Sequence, residues 1–287
     1  MPVSIVVLYY NKIHLTRACL DSIISNYGAS VSVFAYDNGS LPEITGQLKQ
    51  EYPNVLFKRS EKNRGYSGGF NRALQWVFSE GVEKVLFLTN DTSLMEGALE
   101  CLNQFSITNH CSLIAPLLLS HRDLSLVDSY GAKFDPKTYS LSHFKDIEGD
   151  FILGENEYIP GTALYIDKKV FHLIGGCDES YFMYWEDVDF CFRARSRGIR
   201  MGRCAQARIS HGIGKTCHKK AIYTTYYFQR NRIKFCKTFL NNPDWMHARI
   251  QFRDEIEDKI EFYKLKQDFK RMHFWTDIGK EFDLLKK

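Results

Sequence analysis

Three carboxylates fall within four residues at Glu186, Asp187 and Asp189. Aromatic residues precede them (Tyr181, Phe182, Tyr184, Trp185) and arginines follow (Arg193, Arg195, Arg197). Like charges so close repel, and a carboxylate in an aromatic surround has its pKa raised towards the working range of a general base. The segment alone leaves a second reading open, because acids at the start of a helix are also favoured by its dipole.

Other residues offer matching chemistry. Asp37 opens the turn Asp37-Asn38-Gly39-Ser40 after an apolar run. A carboxylate there either caps the next helix or accepts the N3–H of a pyrimidine, a proton that cytosine lacks. Asp91, in Thr89-Asn90-Asp91-Thr92, reads as an N-cap or as a ligand for a hard divalent cation whose other positions a nucleotide diphosphate would fill. His211 is the natural second ligand. Gly65-Tyr66-Ser67-Gly68-Gly69 precedes an amphipathic stretch, flanked by Asn63, Arg64 and Asn71. Glycines opening a helix leave backbone N–H groups free for phosphate oxygens, although a tight turn accounts for them equally.

Two glycine motifs fail on spacing. Gly212-Ile213-Gly214-Lys215-Thr216 ends like a P-loop, but Ile209 stands where the first glycine is required. The Gly65 segment lacks the Gly-x-Gly-x-x-Gly pattern of dinucleotide folds.

The elements that must position these residues alternate. Apolar runs at 3–8, 31–36, 55–58 and 85–88 read as buried strands, separated by helical patterns at 15–24, 41–50 and 70–77. This is the signature of an α/β fold with parallel strands, in which ligands bind at the strand C-terminal ends. Asp37 and Asp91 both fall there. Residues 113–165 read as short β pieces and turns, followed by an apolar strand to Ile166 and a helix carrying Phe190, Ala194 and Arg197. Two brief strands are expected between Ile199 and Ile209. Beyond that, a helix over 223–239 precedes Pro243 and one long helical pattern to about Trp275. Its stripe of Phe262, Leu265, Phe269 and Met272 is expected to pack on the domain, with a membrane-surface role through Lys264, Lys266, Lys270 and Arg271 as the alternative. The expected division is a domain over 1–220 and a C-terminal helical extension over 221–287.

Composition narrows the class. A chain of 287 residues with 44% hydrophobic and 25% charged residues has the make-up of a soluble globular protein. A formal net charge of +4 does not suggest a nucleic-acid partner. Eight cysteines without Cys-x-x-Cys spacing argue for buried thiols in a reducing, cytoplasmic setting and against structural zinc. No signal peptide is expected at the N-terminus, and no run reaches the roughly 18 apolar residues of a membrane span.

The order of these motifs resembles family 2 glycosyltransferases with the GT-A fold, in particular the rhamnosyltransferase and galactofuranosyltransferase branch. The residues that carry the resemblance are Val6 to Asn11, Asp37 to Ser40, Asn63 to Asn71, Leu86 to Thr92, Pro160-Gly161-Thr162, Gly176 to Glu179, Glu186 to Asp189, His211 and Arg230-Asn231, over roughly 3–235. The resemblance implies a mixed, mostly parallel sheet flanked by helices. It implies that Asp37 reads the uracil or thymine of a nucleoside-diphosphate sugar, with Tyr9, Tyr10, Asn11, Asn63, Gly65, Gly68 and Asn90 around the donor. Asp91 and His211 would hold Mg²⁺ or Mn²⁺. Asp187 would be the base of an inverting transfer, with Glu186, Asp189, Trp185 and Gly161 on the acceptor side. The acceptor would be a cell-surface or lipid-linked glycan, reached at the inner face of the membrane, and rhamnose the favoured sugar. Thr89 departs from the family's Asp-x-Asp metal motif, and a catalytically degenerate nucleotide-sugar-binding scaffold is the alternative that it favours.

Overall fold

A computed structural model describes residues 3–147, 149–212 and 222–284. Cys217 and the Ile213–Thr216 part of the rejected P-loop segment lie outside the described residues. The first half alternates β1 (Ser4–Tyr9), α1 (Ile13–Tyr27), β2 (Val33–Asp37), α2 (Pro42–Glu51), β3 (Leu56–Arg59), α3 (Gly65–Ser79) and β4 (Lys84–Thr89). Next come β5 (Thr92–Leu94), α4 (Ala98–Asn109), β6 (Leu113–Ser120), β7 (Asp123–Ser129), β8 (Ala132–Asp135), β9 (Ser140–His143), β10 (Phe151–Ile152) and β11 (Glu157–Tyr158). The chain continues through β12 (Ala163–Asp167), α5 (Lys168–Ile174), α6 (Glu186–Ser196) and β13 (Met201–His211), and closes with α7 (Ile222–Phe239), α8 (Asn242–Leu265) and α9 (Phe269–Leu284).

The chain forms two compact units. One comprises Met1–Phe134, Leu141–Phe182 and Glu186–Thr216; the other comprises Asp135–Ser140, Met183–Trp185 and Cys217–Lys287. The first is built on a sheet of order β10-β13-β6-β12-β4-β1-β2-β3. In it β1, β2, β3, β4, β6 and β13 run one way, while β12 and β10 run against them. The sheet is therefore mixed and mostly parallel. All six residues of β1 are buried, as a strand covered on both faces requires. Ile5, Val7, Leu86, Leu88 and Ile114 meet α1 residues Cys19, Leu20 and Ile23 in one core. Each fully buried aliphatic side chain there contributes about 1.5–3 kcal/mol relative to exposure.

Sheet register places the strand ends together. Tyr9 lies opposite Asp37, and Leu8 opposite Thr89. Because β12 runs against β4, its N-terminal residue Ala163 lies opposite Leu88, and the Thr89 N–H donates to the Thr162 carbonyl at 2.9 Å. The turn before β12 thus reaches the edge where Asp37 and Asp91 sit.

The structure changes three expectations. The Gly65 segment is not a loop feeding a helix; α3 begins at Gly65 itself. The two strands expected over 199–209 are one strand, β13, whose pairing with β6 shifts register between Cys204 and Arg208. A bulge there interrupts the apolar pattern without ending the strand. The long C-terminal pattern is two helices, parted where Gln267 adopts a left-handed φ of 54°.

In the second unit, α8 and α9 bury Ala248, Phe252 and Ile256 and Trp275, Ile278 and Phe282. Tyr139 stacks edge-on to Phe252 and bonds His247 Nδ1 at 3.0 Å, and Arg232 pairs with Glu255 at 2.5 Å. The expected stripe is not the packed one. Phe262, Leu265 and Phe269 are 50%, 77% and 57% exposed at the α8–α9 corner.

Two glycines test the backbone account. Gly65 has φ +70°, and a Cβ there would lie 2.2 Å from the Phe182 carbonyl oxygen. Gly46, inside α2, has open space around it and an ordinary φ. Gly65→Ala is expected to destabilise by about 1–3 kcal/mol. Gly46→Ala is expected to stabilise by about 0.5–1 kcal/mol, and urea unfolding of both variants checks the opposite signs.

Candidate active site

Asp187 stands in the first turn of α6, beside Glu186 and Asp189. Its Oδ2 accepts the Gly161 N–H at 3.0 Å and its Oδ1 the Val188 N–H at 2.9 Å. Burial raises its pKa to about 6, against the pull of those two N–H groups. Glu186 is buried more deeply, and its Oε2 has no hydrogen-bond partner. Burial first, and then the charge of Asp187, push Glu186 well above the carboxylate range. Asp189 has a different task. It pairs with Arg193 at 2.7 Å, and that guanidinium donates to the Ile174 and Gly176 carbonyls at 2.8 Å each.

The backbone entering α6 is unusual. Phe182, Tyr184 and Trp185 all have positive φ (62°, 67° and 71°), a conformation that L side chains adopt at a cost. Trp185 packs its ring on Phe228 and Phe235 and is 1% exposed, so it anchors its segment rather than lining an open surface. The Asn231 amide donates to the Met183 and Tyr184 carbonyls at 2.8 Å each.

At the end of β2, Asp37 is fully buried. It accepts from the Ser40 N–H (2.7 Å) and the Thr45 hydroxyl (2.5 Å), and Arg59 Nε lies 3.3 Å away. Tyr9 is also buried, with its hydroxyl on Thr45, and Tyr10 is exposed. Asn11 donates its N–H to the Ser40 hydroxyl and receives the Leu41 N–H on Oδ1. Asn38 connects this turn to α3 by donating to the Gly65 carbonyl at 2.7 Å and to Asn63 Oδ1 at 3.3 Å. Asn63 Oδ1 in turn accepts the Gly65 N–H at 2.8 Å. Gly68 sits where a Cβ would meet Arg64 Cβ at 2.6 Å. Asn90 is buried, and its side-chain amide donates to the Thr16 hydroxyl at 2.9 Å.

Asp91 and His211 come together. Their Oδ2 and Nε2 atoms are 3.7 Å apart, because His211 lies opposite Thr92 where β13 meets β5. Asp91 and His211 are the residues that would hold a divalent cation here. The donor set fits such an ion. His211 donates from Nδ1 to Asp128 at 2.6 Å, which turns Nε2 towards Asp91 in the way outer carboxylates orient metal-binding histidines. Burial lowers the His211 pKa, but Asp128 and Asp91 outweigh this and raise it to about 9. A metal would therefore displace a proton. Thr89, in place of a first acid, donates its hydroxyl to Asp91 Oδ1 at 2.7 Å. No cluster of three or more His, Cys, Asp or Glu side chains suited to a metal occurs among the described residues.

A hydrogen-bonded chain joins the two halves of the edge, from Asp91 through Thr89 and Thr162–Gly161 to Asp187. Sequence reading found its ends but missed Asp128, Tyr66 as the partner of Gly161, and the bracing role of Asn38. Asn38 stood inside a recognised turn, and its place before Gly39 was the available signal. Asp128 belongs to a strand folded back from β6, and nothing local marks it.

Comparisons with known proteins bear on the family and the fold. Residues 4–174 match the family described as "Glycosyl transferase family 2". The Haloferax volcanii "Low-salt glycan biosynthesis hexosyltransferase Agl10" is 24% identical over 275 residues, covering 88% of this chain and 86% of that protein. An "N-acetylglucosaminyl-diphospho-decaprenol L-rhamnosyltransferase" of Mycobacterium tuberculosis is 24% identical over 216 residues, covering 68% of each. Among solved structures, S. aureus TarS 1-349 in complex with UDP matches with a TM-score of 0.55 at 18% identity. That match covers 82% of this chain, which spans 65% of the TarS chain. The mixed sheet, the flanking helices and these neighbours are those of the GT-A glycosyltransferase fold. On a match that takes in more than half of its residues, the chain belongs to glycosyl transferase family 2.

Proposed function

We propose that the chain is an inverting hexosyltransferase in which Asp187 is the general base. It takes the proton of an acceptor hydroxyl as that oxygen attacks C1 of the donor sugar, and the nucleoside diphosphate leaves from the opposite face. The observation that carries this reading is the Asp187 carboxylate itself, set in the first turn of α6 beside the buried Glu186 and held by the Gly161 and Val188 backbone N–H groups. Asp189 supports the site through Arg193, and Gly161 orients the base. Rhamnose is the favoured sugar and deoxythymidine diphosphate the favoured carrier, ahead of uridine diphosphate sugars. The support for sugar and carrier is the names of two relatives, the mycobacterial rhamnosyltransferase and a Shigella flexneri "dTDP-rhamnosyl transferase RfbF", and the acceptor class, a lipid-linked or cell-surface glycan, follows from the first.

On the donor side, the Tyr66 and Gly68 backbone N–H groups in the first turn of α3 are assigned to diphosphate oxygens, since Asn63 Oδ1 already takes the Gly65 N–H and the Phe182 carbonyl the Ser67 N–H. Asp37 is assigned to the pyrimidine ring. Three partners already occupy the buried carboxylate, so direct contact requires the 37–40 turn to open. Asp91 and His211 would hold Mg²⁺ or Mn²⁺. When bound, the ion neutralises the charge that gathers on the departing diphosphate. The transferase unit is assigned to 1–220 and a helical extension to 221–287. No described helix is long and apolar enough to cross a membrane. The exposed corner of Phe262, Leu265 and Phe269, with Lys264, Lys266, Lys270 and Arg271, is assigned to contact with the cytoplasmic membrane face.

Asp187→Asn is expected to lower turnover by roughly 10²–10⁴-fold while sparing donor binding, and wild-type turnover would refute the assignment. In the wild type, log kcat/KM should fall with unit slope below about pH 6, where Asp187 becomes protonated. The same carboxyl links to stability. Its folded pKa of about 6 exceeds the ordinary 3.8, so the folded state binds the proton more tightly between those values. Its contribution to stability therefore falls as pH rises through that window, and the penalty is complete above it.

Nucleotide and metal are separable by melting temperature. With UDP or dTDP present, Mn²⁺ should raise the Tm of the wild type further, and it should not raise that of Asp91→Ala. For the corner, replacing Phe262, Leu265 and Phe269 together by serine should abolish co-sedimentation with vesicles rich in anionic lipid. Equal partitioning of variant and wild type would remove the membrane assignment.

A further inference from the structure

The Tyr66 side chain has no part in the roles proposed above. It stands in the first turn of α3, between Gly65 and Ser67. Its ring stacks on Phe70 at 5.9 Å and meets Phe87 edge-on at 6.0 Å. The hydroxyl donates to the Gly161 carbonyl at 2.5 Å, and a Cβ on Gly161 would lie 2.6 Å from that oxygen. Gly161 is the same residue whose N–H donates to Asp187 Oδ2. Glycine has the greatest backbone freedom of any residue, so an N–H on a glycine is aligned only as well as its neighbours hold it.

We infer that Tyr66 is a positioning residue for Asp187: by gripping the Gly161 carbonyl it aligns the Gly161 N–H on the base, and so joins the donor-side helix to proton abstraction. The inference rests on Asp187 being the base. Only a glycine admits the phenol this close to the backbone, which accounts for the residue type at 161. Burial pushes the Tyr66 phenol well above its usual range, so it remains a donor at every working pH. The titratable groups that face Asp187 are Glu186 and Cys191 on its own helix, Tyr66 on α3, Tyr158 on β11 and Cys177 after α5. Tyr66 alone among them donates to the residue that holds Asp187 Oδ2.

Tyr66→Phe removes one hydroxyl and keeps the ring packing. It is expected to lower kcat about tenfold, the worth of one well-placed hydrogen bond. KM for the donor should stay within about twofold, because nothing that holds the donor is lost. The acid limb of the pH profile should move to higher pH, since a loosened Gly161 N–H stabilises the ionised carboxylate less. The Tm shift given by UDP should match the wild type, which separates positioning from a collapsed donor loop. In an Asp187→Asn background, Tyr66→Phe should have no further effect. A Tyr66→Phe enzyme with wild-type kcat, an unmoved acid limb or a lost UDP shift overturns the inference. If instead Asp187→Asn keeps wild-type turnover, the base assignment is what has failed.

Discussion

The seam between β4 and β12 is the constraint on which the rest depends. A strand running against its neighbours brings its beginning to the edge where theirs end. One backbone hydrogen bond, Thr89 N–H to Thr162 carbonyl, closes that edge. The Thr89 hydroxyl then orients Asp91, and the residue before Thr162 gives its N–H to Asp187. Two carboxylates far apart in sequence thus share one short piece of sheet. A parallel strand at the β12 position would deliver its C-terminal end there instead, and residue 161 would lie at the far side of the sheet.

Charge in the site is arranged by burial as much as by pairing. Glu186 and Asp187 are covalent neighbours in unlike surroundings: burial raises both pKa values, but Glu186 Oε2 has no partner while Asp187 accepts two amide N–H groups. His211 is set by the reverse means, with two carboxylates overcoming the cost of its burial. The first arrangement suits the base proposed at Asp187. The second favours a protonated imidazole between Asp91 and Asp128.

Strands β1, β2 and β4 were legible because their apolar runs have no other use, and the acidic residues after them could be placed from strand polarity alone. The carboxylate cluster at 186–189 was legible as a cluster. The separate duties of its members were not, because Asp189 owes its duty to a salt bridge with Arg193 and a turn at 174–176. Likewise β13 hid behind its bulge, and the packed face of α8 hid behind a stripe of larger apolar residues further along. Period marks a face as apolar without saying what covers it, and the turn at Gln267 decides that. Asp128 and Tyr66 act through contacts made 83 and 95 residues away, beyond the reach of any local pattern.

The left-handed backbone at Phe182, Tyr184 and Trp185 bears on how this protein can be altered. Judged by local preference, all three positions call for glycine. They carry large aromatic side chains instead, and the ring of Trp185 is packed out of solvent. Local backbone comfort has been given up for tertiary contact just before Glu186 and Asp187. A redesign that scores residues by backbone conformation would replace these three first. It would relax the turn, delete its anchor, and release the residue to which Glu186 and Asp187 are tethered.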